Sequence, residues 1–481
     1  MIFRSKKKSL KEIEQEFEQK KTYFGLPYDV KFCKKCIISN QRPCSEIEFE
    51  HTINTKKRTI QFDENGICDA CNVAEKKNSS IDWEQREKEL IALCDKHRGD
   101  GKGYNCIVPG SGGKDSFYTS HILKYKYGMR PLTITWSPHM YTEWGLKNME
   151  NWVNSGFDNY LVTPNRKVQR LLTRLAMENL FHPFQPFQFG QKFLAPRFAS
   201  KLNINLIFYG ENMAEYGNDV NDLNSPTMDD SFYSIDEINE NKIFIAGVSV
   251  KELKEKYGLS DHDLYHYLPL KKSSIKNKNI KVHHLSHYLK WHPQSNYYYS
   301  VKHGGFVTSS ERMPGTYTKY ASIDDKMEDF NYYTTGIKFG IGWTSYIASF
   351  EIRDRDLLRD EGVALAKKYD LEFPSRFQND LYKYLSINPE EYPVASKQFE
   401  FPKFDKEYFM DLHDRFRSSH LWTKDENDNW KLRFTSWEDR KKSNFQESFA
   451  KEDIKSWKGN KKNYNFQIER KKNFKRSKNN W

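Results

Sequence analysis

One stretch of glycines and small polar residues, at positions 109–116 (Pro-Gly-Ser-Gly-Gly-Lys-Asp-Ser), constrains the fold of this chain more than any other feature. An apolar run at 106–108 precedes it and predicts a short buried strand, and the pattern that follows predicts a helix ending at Gly128. Glycines let a backbone turn at positive φ and approach an anion closely, and a helix start points N–H groups at it. The sequence therefore predicts a strand, an anion-binding turn and a helix.

The side chains of this stretch suit a nucleotide triphosphate and a hydrated magnesium ion. Two serine hydroxyls can donate hydrogen bonds, the lysine supplies a positive charge, and the aspartate can bind Mg²⁺. A plain surface turn rich in glycine and serine is the alternative interpretation. The predicted cofactor-binding residues of the stretch are Ser111, Gly112, Gly113, Lys114, Asp115 and Ser116.

The stretch is not a Walker A loop, because Asp115 rather than serine or threonine follows Lys114. Ser-Gly-Gly-Lys-Asp-Ser instead resembles the PP-loop of the ATP pyrophosphatase superfamily. That resemblance implies that the loop holds the terminal pyrophosphate of ATP and releases it while AMP passes to a carbonyl or carboxylate oxygen. ATP and Mg²⁺ are therefore the expected cofactors.

Past the loop, strand and helix patterns alternate at the length of βα units up to about residue 215. They predict an α/β fold with a parallel sheet covered on both faces and ligands beyond the carboxyl ends of the strands. Thr135 and Trp136 end one predicted strand and Gly210 follows another, so we expect them to contact the nucleotide. Trp136 fits equally well as a ring beside adenine or as a core aromatic residue.

A polar run follows the predicted strand that ends near residue 209. Glu211, Asn212, Glu215 and Tyr216 lie in it, and such groups suit metal coordination or sugar hydroxyls. Acidic residues that favour a helix N-terminus are the alternative interpretation. The predicted catalytic residues are Lys114, Asp115, Ser116 and Glu211, and Asn212, Glu215 and Tyr216 are predicted substrate contacts.

Amides and aromatic residues alternate at positions 182–191, a composition that suits a sugar-like ligand. Gln185 is the predicted substrate contact in this segment. A proline-rich core loop has a similar composition, and the spacing alone does not decide between the two.

Two Cys-x-x-C pairs, separated by 31 residues, occupy the N-terminal segment. Four thiolates presented from two tight turns suit a structural Zn²⁺ site, and unpaired thiols or redox chemistry are the alternatives. The predicted ligands are Cys33, Cys36, Cys68 and Cys71. All seven cysteines lie before residue 107, which argues against a secreted disulfide scaffold and for the reduced cytoplasm.

Composition allows two or three domains in the 481 residues, and the net charge of +12 allows an anionic partner. No apolar segment follows the basic cluster at 4–8, so a signal peptide is not expected, and the sequence predicts no transmembrane segment. The predicted organisation is a zinc-binding segment at 1–100, the ATP-binding domain at 101–215, a mostly helical lobe at 216–433 and a basic aromatic tail at 434–481.

The predicted helical lobe carries candidate ligands of its own. Arg312 and Lys319 suit phosphate groups, and Asp324 and Asp325 suit a metal ion or sugar hydroxyls. A single helical run is predicted over 330–352, and the charged residues 353–355 are interpreted as a solvated surface run. The tail fits a disordered cationic segment better than a nucleic-acid or membrane contact.

The chain resembles the N-acetyl sugar amidotransferases of bacterial surface-polysaccharide and flagellin-glycan biosynthesis, which act on lipopolysaccharide O-antigen sugars or on pseudaminic and legionaminic acids. The similar stretches are the two cysteine pairs, Arg42-Pro43, and residues 66–71, 111–116, 182–187, 208–217, 315–326, 337–342 and 361–365. This resemblance spans about residues 30–430. The longer N-terminus, the long spacer between the cysteine pairs and the basic tail depart from the family pattern.

The resemblance implies a reaction. ATP adenylylates the oxygen of a sugar N-acetyl group, pyrophosphate leaves, and ammonia then displaces AMP to give an acetamidino group. The sugar would be linked to a nucleotide or another carrier. The sequence shows no glutaminase pattern, so ammonia is expected from separate glutaminase and cyclase-like subunits resembling those of histidine biosynthesis.

Two other functions compete with this one. A tRNA-modifying PP-loop enzyme, such as a thiolase or a lysidine-forming enzyme, shares the loop and would explain the positive charge. A thiolase needs a reactive cysteine near ATP, and only Cys106 is close, in a predicted core strand. A zinc-containing nucleic-acid module would leave the loop without a role, so nucleic acid is not the expected partner.

Overall fold

A computed structural model describes residues 7–218, 224–387 and 403–439 of the chain. The predicted tail at 434–481 lies outside the described residues from position 440 onward. Three helices lie in the N-terminal segment, where Ser9 and Glu12 form a capping box and Asp82 caps the third helix. Their bounds are α1 Leu10–Glu18, α2 Asp69–Ser79 and α3 Trp83–Arg98.

Strands and helices then alternate, as the sequence predicts. Pro196 lies inside the last helix of this series. The elements are β1 Cys106–Pro109, α4 Lys114–Tyr125, β2 Pro131–Trp136, α5 Glu143–Asn154, β3 Asn159–Val162, α6 Arg166–Leu180, α7 Gln185–Leu202 and β4 Leu206–Tyr209.

Short elements connect β4 to the last strand of the main sheet. A 3₁₀ helix, Met213–Tyr216, follows β4, and two more lie at Asp230–Phe232 and Tyr265–Tyr267. The others are β5 Ser234–Ile235, β6 Phe244–Ile245, β7 Val248–Ser249, α8 Val250–Tyr257, α9 Asp261–Leu264, β8 Leu270–Lys271, α10 Lys272–Lys276, β9 Lys281–His284 and α11 Leu285–Tyr288.

The main sheet has five parallel strands in the order β3-β2-β1-β4-β9. The chain leaves β1 toward β2 on one side, and β4 lies on the other side, so the strand order reverses between β1 and β4. Ligands of open parallel sheets bind at such a reversal, beyond the carboxyl ends of the strands. Both the glycine-rich loop after Pro109 and the polar run after Tyr209 start there.

Alternate residues of β1 point to opposite faces of the sheet and enter two different cores. Ile107 packs with Ile134 and α7 residues on one face, while Cys106 and Val108 pack with α4 residues such as Tyr118 on the other. Both faces are therefore covered by helices, as a buried parallel sheet requires.

Helices and one hairpin make up the C-terminal region. The run predicted over 330–352 is two helices, because Gly340 takes φ +66° and ends the first of them. The elements are α12 Pro293–Gly304, α13 Glu328–Phe339, α14 Trp343–Asp354, α15 Arg359–Tyr369, α16 Gln378–Leu385, α17 Lys406–Phe416, β10 Trp422–Lys424, β11 Trp430–Leu432 and α18 Ser436–Asp439.

The boundary predicted at residue 215 differs from the structure. β9 lies beyond it and pairs with β4 along four residues, so the region after 215 contributes an edge strand to the main sheet. The C-terminal region also contacts the N-terminal segment: the N–H of Tyr23 donates to Ser418 Oγ at 3.2 Å, and His420 Nε2 lies 3.1 Å from Gln41 Oε1. None of the helices in the described part of the chain has both the length and the apolar character of a membrane span.

Candidate active site

Two glycines are required for the path of the glycine-rich loop between β1 and α4. Gly112 has φ +85°, and a Cβ there would lie 2.7 Å from the carbonyl oxygen of Asn148. A Cβ on Gly110 would lie 2.1 Å from Cβ of Ser116. A side chain at Gly112 would therefore push the loop away from α5, and one at Gly110 would push it away from the start of α4.

The loop presents a set of unpaired backbone donors. Among the described residues, the N–H groups of Ser111, Gly112 and Gly113 have no hydrogen-bond acceptor. The first N–H groups of α4 follow them, and a helix N-terminus leaves these without intrahelical partners and adds a partial positive charge. This arrangement suits a polyphosphate.

Contacts within the loop and with α12 fix the start of α4. Lys114 Nζ pairs with the Asp115 carboxylate, and Asn296 Nδ2 lies 3.5 Å from Asp115 Oδ1. Ser300 Oγ donates to the carbonyl of Lys114 at 2.9 Å, and Ser116 Oγ donates to the carbonyl of Gly113 at 3.1 Å. A lysine and a carboxylate therefore stand together beside the free N–H groups.

A cavity of about 770 Å³, here called the central cavity, opens at this edge of the sheet. It brings together loop residues, strand ends and residues from the region after α12. The sequence-predicted site residues that line it are Ser111, Gly113, Lys114, Asp115, Ser116, Trp136, Gly210, Glu211, Asn212, Asp324 and Asp325.

Trp136 lies at the boundary between the cavity and the core. It lines the central cavity, and it also packs edge-on against Tyr267, with ring centroids 5.8 Å apart. The absence of a side chain at Gly190 allows α7 to approach the indole, because a Cβ there would lie 2.1 Å from Trp136 Cε2.

Four predicted residues of the sheet region lie outside the cavity lining: Gly112, Thr135, Glu215 and Tyr216. Gly112 shapes the loop from behind. Thr135 is buried, and its hydroxyl accepts a hydrogen bond from Asn159 at 3.0 Å, because alternate residues of β2 face opposite sides.

Three further predicted substrate residues also lie outside the lining, since each has a partner elsewhere. The Gln185 amide donates to the Glu48 carbonyl at 3.1 Å and accepts from the Ala246 N–H at 2.8 Å. Arg312 forms a two-point ion pair with Glu372, and Lys319 donates to a main-chain carbonyl at 2.8 Å. These side chains serve the fold rather than the cavity.

Glu211 is a carboxyl of the cavity whose ionisation is shifted by its surroundings. Burial, together with the neighbouring Asp115 carboxylate, raises its pKa to about 7, against the opposing positive charge of Lys114. Burial also raises the pKa of the nearby Tyr216 phenol well above its usual value. A carboxyl that titrates near neutral pH can accept a proton under physiological conditions.

The two adjacent aspartates differ in their surroundings. Asp325 accepts hydrogen bonds from the His139 N–H at 2.6 Å, His139 Nδ1 at 2.7 Å and the Met327 N–H at 3.0 Å, so its oxygens are occupied. Burial raises the pKa of Asp324, while a hydrogen bond with Ser111 of the loop opposes that rise. Asp324 therefore faces the loop, and Asp325 anchors the chain beside it.

Glu215 belongs to a buried ion network instead of the cavity. Its carboxylate pairs with Lys77 Nζ at the end of α2, and both side chains are almost fully buried. Lys77 also donates to the Trp291 carbonyl at 3.3 Å, and Arg353 donates to the main-chain carbonyl of Glu215 at 3.3 Å. The turn after β4 is thus tied to the N-terminal segment and to α14.

The four predicted metal ligands form one closed group, with all of their sulfur atoms within 4.8 Å of one another. Cys33 Sγ lies 3.8 Å from Cys71 Sγ, and Cys36 Sγ lies 3.7 Å from Cys68 Sγ. Four sulfurs placed tetrahedrally at about 2.3 Å from one ion are about 3.8 Å apart. The group therefore fits a single metal ion.

Backbone donors and arginines surround the cysteine group. Three N–H groups, of Lys35, Cys36 and Cys68, point at Cys33 Sγ from 3.3 to 3.4 Å. Arg353 is buried and lies 4.0 Å from Cys36 Sγ, so the interpretation of residues 353–355 as a solvated run is wrong for this arginine. A buried cation offsets the negative charge of clustered thiolates, and sequence spacing does not show that contact.

Sequence reasoning missed several residues of the cavity lining. Glu328 follows the predicted aspartates by one helical turn, and His284 ends β9. Gln188, Gln191 and Lys192 share one face of α7 through i, i+3 and i+4 spacing. That spacing was the available signal, but it does not tell which face meets the cavity.

Comparison with known proteins relates the C-terminal region to a family. Residues 314–436 match "LPS biosynthesis protein WbpG-like, C-terminal domain", which covers about a quarter of the chain. This match fits a role in glycan biosynthesis. The matched segment supplies Asp324, Asp325 and Glu328 to the central cavity.

No curated protein sequence matches the chain. Among solved structures, the chain is similar to the U34-tRNA thiolase NcsA from Methanococcus maripaludis with its 4Fe-4S cluster. The two are 13% identical, the alignment covers 56% of this chain and 80% of that chain, and the TM-score is 0.25.

The metal group can be tested by removing one ligand. Cys33→Ser should release the bound metal, because this sulfur is one of the four ligands and accepts the three N–H groups. Elemental analysis of the purified protein measures the metal content. Cys44→Ser is the matched control and should retain the metal, since Cys44 lies outside the group; retention in Cys33→Ser would contradict the assignment.

The buried ion pair of Lys77 and Glu215 can be tested by removing its cation. Lys77→Met should lower the free energy of unfolding by about 3–5 kcal/mol, because the Glu215 carboxylate is left buried without a counter-charge. Denaturant unfolding measures the loss. Adding Glu215→Gln should recover part of it, and two additive losses would show that the pair is not coupled.

The raised pKa of Glu211 predicts how the free energy of unfolding depends on pH. The folded-state pKa of about 7 lies above the ordinary value of 4.5, so ionisation of this carboxyl destabilises the fold as the pH rises through about 7. Glu211→Gln should therefore match the wild type below pH 4.5 and exceed its stability by up to about 3 kcal/mol above pH 7. The control Glu150→Gln, on an exposed side chain, should show no such trend in unfolding experiments; a parallel trend would refute the shift.

Proposed function

We propose that this chain is a PP-loop enzyme that uses ATP to convert the acetamido group of an N-acetyl sugar to an acetamidino group in bacterial surface-glycan biosynthesis. One observation carries the proposal: the loop with its free N–H groups, Lys114, Asp115, Glu211 and Asp324 share a single cavity. The similarity of residues 314–436 to a lipopolysaccharide biosynthesis family supports the glycan context.

The chemistry begins with activation of a poor electrophile. The acetamido oxygen attacks the α-phosphorus of ATP, the bond to the β-phosphate oxygen breaks, and pyrophosphate leaves. The N–H groups of residues 111–113 and the Lys114 ammonium bind the charge that develops on the pyrophosphate. Asp115 would hold Mg²⁺, which neutralises charge on the phosphates when bound.

Ammonia then attacks the carbon of the O-adenylyl imidate, the carbon–oxygen bond breaks, and AMP leaves. A proton of the attacking nitrogen must be removed for the amidine to form. Glu211 accepts this proton, because its pKa of about 7 makes the carboxylate available near neutral pH. Asn212, which also lines the cavity, suits a hydroxyl of the sugar.

The remaining parts of the proposal concern metal, partners and compartment. Zn²⁺ is the proposed ion of the cysteine group, because the sulfurs converge on one centre, whereas a four-iron cluster binds each thiolate through a different iron atom. Ammonia comes from separate glutaminase and cyclase-like subunits. The free thiols and the proposed use of ATP support a cytoplasmic location.

The thiolase alternative lacks support in the cavity. In the described part of the chain, no cysteine lines it. Cys106 is fully buried in β1, and burial raises the pKa of its thiol. A thiol that stays protonated in a strand core is a poor sulfur nucleophile.

Loss of the loop carboxylate tests the reaction. Asp115→Asn should abolish the release of AMP from ATP, acetamido sugar and ammonium, because the amide binds Mg²⁺ far more weakly than the carboxylate does. Mass spectrometry of the sugar, which detects conversion of acetamide to amidine, measures the product. The control Asp158→Asn changes an aspartate that bonds Tyr104 just before β3, and should keep full activity. Equal turnover in both variants would refute the role of the loop, and formation of ADP and phosphate would refute the reaction.

A further inference from the structure

One face of α7 presents three polar side chains to the central cavity. Gln188, Gln191 and Lys192 are spaced i, i+3 and i+4 along the helix, and all three line the cavity. Two amides and one ammonium therefore meet the same space, and each can donate hydrogen bonds.

These three side chains lack hydrogen-bond and ion-pair partners within the described chain. None of them forms a hydrogen bond or an ion pair there. The Lys192 ammonium lies 5.3 Å from the ring centroid of Phe232, and the nearby carboxylate of Glu48 pairs with His51 at 2.8 Å. The residues that could neutralise this lysine are thus engaged elsewhere.

Lys192 differs in this respect from the other lysine of the cavity. Lys114 pairs with Asp115, whereas Lys192 forms no ion pair among the described residues, and Glu48, the acid whose charge acts on it, pairs with His51. No arginine lines the cavity among the described residues. A partly buried ammonium without a partner is costly, and burial indeed lowers the pKa of Lys192. An anion that enters the cavity would remove that cost.

The neighbours of Lys192 are different from those of the glycine-rich loop. Lys114 and Asp115 contact α12, while Lys192 lies against Phe232 and near Glu48 of the N-terminal segment. The hydroxyl residues Ser225 and Thr227 line the same cavity. The cavity therefore has a second cationic position, distinct from the loop.

We infer that Gln188, Gln191 and Lys192 form a subsite for an anionic oxygen group of the sugar substrate, either a carboxylate on the ring or a phosphate of its carrier. The identification of the ligand as a sugar rests on the proposed function, but the identification of an anionic group does not. An ammonium flanked by two amide donors suits the several acceptor oxygens that carboxylates and phosphates share. The subsite selects acetamido sugars that carry an anionic group, on the ring or on the carrier, over neutral ones.

The test compares three probes on the full-length protein: N-acetylglucosamine, which is neutral; N-acetylneuraminic acid, which carries a carboxylate; and UDP-N-acetylglucosamine, which carries phosphate. Calorimetry in the presence of AMP and pyrophosphate measures binding, and amidine formation is followed in parallel. The wild type should bind one of the two anionic probes more tightly than the neutral one, and the preferred probe identifies the source of the anion.

Lys192→Met should weaken binding of the preferred anionic probe about 10- to 100-fold and leave the KM for ATP unchanged, as expected for loss of a charged hydrogen bond. Lys192→Arg should keep most of the preference because it keeps the charge. Gln191→Leu, at an exposed position, is a second variant that does not disturb the core, and should weaken binding less. Lys201→Met, on the same helix outside the cavity, is the matched control and should bind like the wild type.

Three outcomes would overturn the subsite: no preference for an anionic probe in the wild type, equal binding by Lys192→Met, or a rise in the KM for ATP alone. Failure of the proposed function gives a different result. In that case no sugar is amidated by the wild type, while anion binding that depends on Lys192 still supports the subsite.

Discussion

The buried pair of Lys77 and Glu215 joins the parts of this protein that the chain order keeps apart. Lys77 lies in the last turn of the helix that begins at the second cysteine pair, and Glu215 lies in the turn just after Glu211. Arg353 adds a second connection, since it lies beside Cys36 and donates to the carbonyl of Glu215. Buried charges are stable only when they are paired, so these contacts hold the cysteine group and the strand end in one arrangement.

The central cavity depends on this arrangement because its walls come from distant parts of the chain. The sheet supplies the glycine-rich loop and the strand ends where the strand order reverses. α12 holds the backbone of Lys114, and the segment similar to lipopolysaccharide biosynthesis proteins brings Asp324 to the opposite wall. In open parallel sheets, the side chains of a ligand site usually come from the loops that follow the strands. In this protein the C-terminal region provides some of them.

Local patterns predicted the βα units well, and the structure assigns helices or strands to them at nearly the same positions. The cysteine pairs were equally informative, because their spacing implies a shared centre. β9 was missed, since a four-residue strand with basic neighbours looks like a linker until β4 pairs with it. The amide segment shows the same limit: Gln185 was predicted and Gln188 was not, because alternation shows composition and not the direction of each side chain on α7.

The sequence by itself determined the backbone chemistry: where glycines permit a turn at positive φ, where a helix must start, and which four sulfurs can meet. These properties depend on residues close together in the chain. Tertiary structure alone decided which polar groups face the cavity and which are paired with other groups inside the protein. Arg312 and Glu215 looked like ligand contacts, but each forms an ion pair with a remote segment, while Lys192 forms no ion pair among the described residues. Pairing between groups far apart in sequence depends on tertiary packing, and the local spacing of residues does not predict that packing.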